Sequence, residues 1–140
     1  MAIDLSVNYL AAIVAAVVSF IVGWLWYSPK LFGNAWMAAS GIKKSDIAKS
    51  KKKGMITSMV AGFIVQVVMA SVLGVFISAT GGSGWLEGLN TGFWAWLGFV
   101  ATIGLGIVIW EGKPMKLFWI NSLHWLVALL IQGAILGAWM

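Results

Sequence analysis

The chain is 140 residues long, 61% hydrophobic and only 9% charged, with a mean hydropathy of +0.97, far from the roughly 45–50% apolar and 25% charged make-up of soluble domains. Such a composition describes a single integral membrane domain and leaves no room for a separate catalytic domain outside the bilayer. The net charge of +5 comes from nine lysines against four acidic residues, without the interleaved aromatics of nucleic-acid binding, and the lack of cysteine and arginine removes thiolate chemistry, cysteine-based metal sites and guanidinium clamps.

About 20 mostly apolar residues cross a bilayer as a helix. Four stretches qualify, at about 7–27, 55–79, 92–110 and 115–139, and they predict an all-α bundle of four transmembrane helices. The start, "MAIDLSVNYL", has an acidic residue and no basic one before its apolar run, the reverse of a secretory signal, so the first segment reads as a retained span. Asn8 and Tyr9 open it as interfacial anchors. It closes in "WLWYSPKLFGNAW", where Trp24, Trp26 and Tyr27 suit a membrane interface and Pro29 lacks the amide hydrogen needed to continue a helix.

The segment "KLFGNAWMAASG" mixes Leu31, Phe32, Trp36 and Met37 with polar and small residues, as expected of a piece lying on the membrane surface. "KKSDIAKSKKKG" then reads as a solvated helical extension into span two, capped by Ser45. A glycine-rich turn, "TGGSGWLEGLNT", precedes span three, and the short turn "EGKP" joins spans three and four.

Lysine placement sets the threading. Lys30, Lys43, Lys44, Lys49, Lys51, Lys52 and Lys53 fall in the first loop and Lys113 and Lys116 flank the last turn, all on one side of the four-span layout. The positive-inside rule makes that side cytoplasmic, with a Lys-rich cytoplasmic loop between helices 1 and 2. Asp4, Glu87 and both termini then face outward, N-out and C-out. A polybasic run beside a membrane also attracts anionic lipid.

Small residues recur at four-residue spacing: Ala11, Ala15, Ser19 and Gly23; Ser58, Gly62, Gln66, Ala70, Gly74 and Ser78; Gly98, Thr102 and Gly106; Gly133 and Gly137. In lipid, such series let helices pack closely, within one chain or between copies. A faint echo links "SPKLFGN" after span one to "KPMKLFWIN" after span three. It is short enough to reflect a shared need for an interfacial anchor.

Polar groups deep in a membrane are the first candidates for function. His124 is the only histidine and the only ionisable group inside a span. At 100° per residue, Asn121, His124, Ala128 and Gln132 share one stripe of about 80° on span four, and Gln66 lies mid-way along span two. Two readings stand: cross-helix hydrogen bonds that hold the bundle together, at about 0.6–2 kcal/mol each, or a binding or permeation path. Haem or pigment ligation by His124 alone would lack a signature, and no cofactor or metal is expected. Glu111 ends span three, where the helix dipole opposes a carboxylate, so a cationic partner is expected near it. The scatter of Met55, Met59 and Met69 favours packing over a soft-metal path. With no buried carboxylate pair, histidine cluster or serine, histidine and acid set, an enzyme has almost nothing to work with.

Across nearly its whole length the chain resembles a bacterial membrane family catalogued as a domain of unknown function, number seventeen sixty-one. "WYSPKLFGNAW" carries the resemblance most specifically, through Trp26, Tyr27, Ser28, Pro29, Leu31, Phe32, Gly33 and Trp36, and "GFWAWLGFVAT", "WEGKPMKLFWIN" and "GAILGAW" extend it. Asn8, Tyr9, Glu111, Gly112 and Asn121 also match. The resemblance implies an aromatic such as tyrosine at position 124, so His124 is a departure. It implies no activity, but it adds a second candidate site at the cytoplasmic rim, formed by Tyr27, Ser28, Pro29 and Glu111 with Asn121.

Two functions follow from these residues. The first is a homo-oligomeric transport or channel-like protein for a small solute or ion, in the bacterial inner membrane, with the stripe on span four lining its path. The alternative is a structural or accessory subunit of a larger membrane complex, or a lipid-binding protein, using its ten tryptophans as contact surface.

Overall fold

The computed structural model describes residues 2–140 apart from the side chains of residues 51–53, so those of Lys51, Lys52 and Lys53 lie outside what is described. Among the described residues the chain is all-helical, with no strand. Helix α1 is Tyr9–Trp26, and the Asn8 side chain accepts the Ala11 amide at 3.1 Å, covering one donor that a helix start leaves unpaired. One face of α1 is built from small residues, with Ala11, Ala12, Ala15, Ala16 and Ser19 fully buried. After Trp26 the chain reverses through a turn closed by the Phe32 amide on the Trp26 carbonyl (2.9 Å) and the Gly33 amide on the Ser28 carbonyl (3.0 Å). Only glycine fits at position 33, because a Cβ there would run into the Tyr27 carbonyl.

A short helix, α2 (Gly33–Ser40), ends at left-handed Gly41. Helix α3 (Lys44–Ala79) carries the basic run into the second span and is broken in direction at Gly54, whose φ of 138° is outside helical geometry. The first connection is therefore largely helical. Ser45 is not its cap: Lys43 occupies that position, and the Asp46 carboxylate reaches back to accept the Lys43 amide at 3.0 Å. The acidic side chain in the first turn also complements the helix dipole.

The third span starts earlier than its hydropathy indicates. Its helix begins at Trp85 and runs as α4 (Trp85–Ala95), a π-helical turn (Trp96–Ala101) and α5 (Thr102–Glu111). Left-handed Gly112 and then Pro114 separate it from α6 (Met115–Ala138). Four helices are long and apolar enough to cross a membrane: Tyr9–Trp26, Gly54–Ala79, Trp85–Glu111 and Met115–Ala138.

Helix α6 is the hub, packing against α1, α3 and α4. The closest crossing is α4 on α6. Gly88 faces the Gly133 carbonyl, Gly92 the Leu129 carbonyl and Gly137 the Gly84 carbonyl, each so near that a Cβ would overlap it. The Gly84 amide even donates directly to the Gly137 carbonyl at 2.9 Å. Small residues do drive the packing, but in span three the working glycines are Gly84, Gly88 and Gly92, whereas Gly98 and Gly106 meet open space.

Two indoles pin the other end of α6: Trp26 Nε1 donates to the Ile120 carbonyl at 3.0 Å and Trp96 Nε1 to the Ser122 carbonyl at 2.7 Å. The two "KLF" segments are not equivalent, since Leu31 and Phe32 lie in the turn after α1 while Leu117 and Phe118 lie inside α6. The Trp26 contact brings the end of α1 to the start of α6, so the first connection and the last turn share one end of the bundle, here called the lysine-rich end. At the other end Asp4 accepts the Ser6 hydroxyl and amide, which holds its carboxyl below the usual value.

Candidate functional site

Where α1 meets α6, their facing positions form a file of polar and aromatic side chains. At the lysine-rich end the Tyr27 hydroxyl donates to Asn121 Oδ1 at 2.7 Å. About one turn deeper lies His124, only 4% exposed, with ring-centroid separations of 5.1 Å to Tyr27, 6.2 Å to Trp26 and 4.7 Å to Trp125. Neither ring nitrogen of His124 has a hydrogen-bond partner in the protein. Gly23 makes room for the imidazole, since a Cβ at that position would come within 2.9 Å of Nε2.

Deeper still, buried Ser19 sits over the Ala128 carbonyl at 3.5 Å. The file ends where Gln132 Nε2 donates to Gln66 Oε1 at 2.8 Å, joining α6 to α3 with both side chains buried. From Asn121 to Gln132 is about 16 Å along a helix axis, roughly half the ~30 Å hydrocarbon thickness. Beyond Gln132 the interior is apolar, filled by Ala70, Leu73, Ile77 and Leu136.

A cleft of about 560 Å³ lies outside the file at the lysine-rich end, bordered by Trp24, Tyr27, Ser28, Pro29, Trp36 and Met55. The turn "WYSPKLFG" builds its wall: Ser28 is held by its own hydroxyl on the Leu25 carbonyl (2.7 Å), and Tyr27 packs edge-on to Trp36 at 5.9 Å. Tyr27 therefore belongs to both cleft and file.

The structure thus gathers His124, Gln132 and Gln66 in the interior of one chain, with half-buried Asn121 at the outer end of their row, bonded to Tyr27 of α1 and also bordering a hollow beside α5. It brings Tyr27, Ser28 and Pro29 together at the cleft. Glu111 is not with them: it is exposed at the last residue of α5 and borders neither the cleft nor the hollow beside α5. Among the described residues no three His, Cys, Asp or Glu side chains come together as metal ligands. Ser19 and Gly23 are parts of the file that the residue pattern indicated only as helix-packing positions. Trp26 reads as an interface residue and Trp36 as part of a surface-lying segment, yet both also wall the site.

A family model described as a protein of unknown function, DUF1761, matches residues 10–137. The chain belongs to that family. The match runs from α1 to the end of α6 and so includes every residue of the file and the cleft. No curated protein and no solved structure is detectably similar to the chain.

The glutamine pair has a stability consequence. Gln132→Leu strands the Gln66 amide in an apolar interior, and a buried polar group left without its partner costs about 1–3 kcal/mol. Replacing both glutamines with leucine removes the stranded group. In a denaturant titration in detergent, the double variant is expected to be more stable than either single one.

Proposed function

We propose that this DUF1761 protein transports a small solute or an ion across the bacterial inner membrane, and that the path is the polar file inside each chain. The supporting observation is His124: a buried imidazole with both nitrogens unpartnered, set between the cleft and the glutamine pair. A group that merely tied helices together would spend its nitrogens on hydrogen bonds, because leaving them unmade is costly. The file reaches from the lysine-rich end to mid-membrane and stops at apolar packing. That arrangement fits a carrier closed on one side better than a standing channel, and transporters commonly bind near the midplane.

In this reading the lysine-rich end is cytoplasmic, with both termini outside. Copies associate along Gly98, Thr102 and Gly106, where the helix leaves open space for a neighbour. Oligomerisation then holds the chains together without creating the path.

The experiment is flux into vesicles reconstituted with the pure protein, followed with a pH-sensitive dye, with potassium and with glycerol, alongside native mass spectrometry. Asn121→Leu is expected to abolish flux while the oligomer mass is retained, and Gln132→Leu combined with Gln66→Leu to do the same. Unchanged flux in both removes the file as a path. A second reading, an accessory subunit, is favoured by the bareness of the later part of span three: α5 buries no residue, and Trp110 is 87% exposed. Another polypeptide recovered at fixed stoichiometry would support that reading.

A further inference from the structure

After the π-helical turn, span three touches the bundle only sparsely, with Gly104 against Phe118 of α6. Trp96 and Ala101 of the turn are buried, but no residue of α5 is. Between α5 and α6, with Met69 of α3 behind it, this sparse contact leaves a lateral crevice of about 350 Å³, within the roughly 300–1,000 Å³ range of small-molecule sites. Ile103, Ile107 and Trp125 make its walls apolar, and Lys113 lines it from the lysine-rich end.

Asn121 and Ser122 also line the crevice, on its α6 wall. Ser122 is only 3% exposed, and its hydroxyl has no partner, while its carbonyl is taken by the Trp96 indole at 2.7 Å. Asn121 uses its carbonyl oxygen to accept from Tyr27, which leaves its amide NH₂ as a donor. The crevice therefore offers a cation, a hydroxyl donor and an amide donor along one edge of an otherwise apolar slot. Its complement is a molecule that is anionic and acceptor-only at one end and hydrocarbon at the other.

We infer that the crevice is a binding site for one anionic phospholipid. The phosphate lies against Lys113, the ester carbonyls accept from Ser122 and Asn121, and one acyl chain lies between Ile103, Ile107 and Trp125. The hollow opens sideways, where the surrounding solvent is lipid, and basic groups at a membrane surface select anionic lipid. This site does not rest on the transport reading, although Asn121, shared by crevice and file, joins the two.

The test is native mass spectrometry of delipidated protein titrated in detergent with phosphatidylglycerol or phosphatidylcholine of matched acyl chains. The wild-type chain is expected to retain one phosphatidylglycerol at least fivefold better than phosphatidylcholine. Lys113→Gln is expected to bring that ratio close to one, whereas Lys116→Gln, at the same end but outside the crevice, leaves it unchanged. Ile107→Trp fills the slot and is expected to lose both lipids while circular dichroism shows unchanged helicity. If Ile107→Trp fails to fold, the two surface variants still decide. Equal retention of the two lipids by the wild type, or a preference that survives Lys113→Gln, overturns the site.

Discussion

Gly133→Leu is expected to keep the chain from closing its bundle. Position 133 presses against the backbone of Gly88, where even a Cβ would overlap the carbonyl, and a leucine adds three more carbons. Neither helix can yield by rotating a side chain, because the atoms in the way are main-chain atoms. Overpacking in a well-packed core typically costs about 1–3 kcal/mol, and a backbone obstruction at the hub belongs at or above the top of that range, about 3 kcal/mol. The Gly84 amide bond to the Gly137 carbonyl, on the same seam, would be lost with it. A denaturant titration in detergent, read by tryptophan fluorescence, should show a markedly lowered midpoint or no cooperative transition. Gly98→Ala is the contrast: nothing in the chain lies within 4 Å of its Cβ position, and alanine is about 1 kcal/mol better than glycine inside a helix, so the midpoint of the monomer should not fall below wild type. A normal transition in Gly133→Leu would mean that α4 and α6 do not cross where the fold places them.

The same seam shows what the sequence could and could not disclose. Four helices follow from length and apolarity, since an isolated backbone in lipid has few other ways to satisfy its amides. The partners of each glycine do not follow. Gly84, Gly88 and Gly92 stand beside Glu87, Asn90 and Thr91, a mixture whose low hydropathy reads as a turn, yet a helix starts straight after Gly84 and runs through Gly88 and Gly92, against the Gly133, Leu129 and Gly137 backbone of α6. Gly98, Thr102 and Gly106 have the better apolar context and pack against nothing in this chain. Spacing along one helix reports that close approach is possible, whereas the approach itself depends on a second helix far away in sequence.

The file was more legible. The stripe Asn121, His124 and Gln132 follows from helical period alone, and Gln66 stands out as the one amide of span two. What the period cannot show is which side of the stripe faces inward. The small face of α1 settles it: Ser19 packs onto the Ala128 carbonyl of α6, and Gly23 leaves room where the imidazole sits. Glu111 went the other way, because α5 packs only sparsely after the π-helical turn and leaves its last residue exposed. Such a turn inserts a residue into the helical repeat, changes the direction of everything after it, and has no marker in composition.

His124→Phe separates the two roles open to the buried imidazole. Phenylalanine keeps an aromatic ring among Tyr27, Trp26 and Trp125 and discards only the two nitrogens, which have no partners in the protein. If packing were the whole role, the exchange would be neutral or mildly stabilising, because removing a buried unsatisfied polar group recovers about 1–3 kcal/mol. The expected result is this unchanged or raised stability together with at least a tenfold fall in flux into vesicles, an effect of about 1.4 kcal/mol or more on the rate-limiting step. His124→Tyr, which installs the aromatic that the family resemblance implies at this position, returns one hydroxyl to the file. It is expected to keep a measurable share of the flux that phenylalanine loses. Flux undiminished in His124→Phe would leave the imidazole as filler between α1 and α6 and would move the search for a path outside this file.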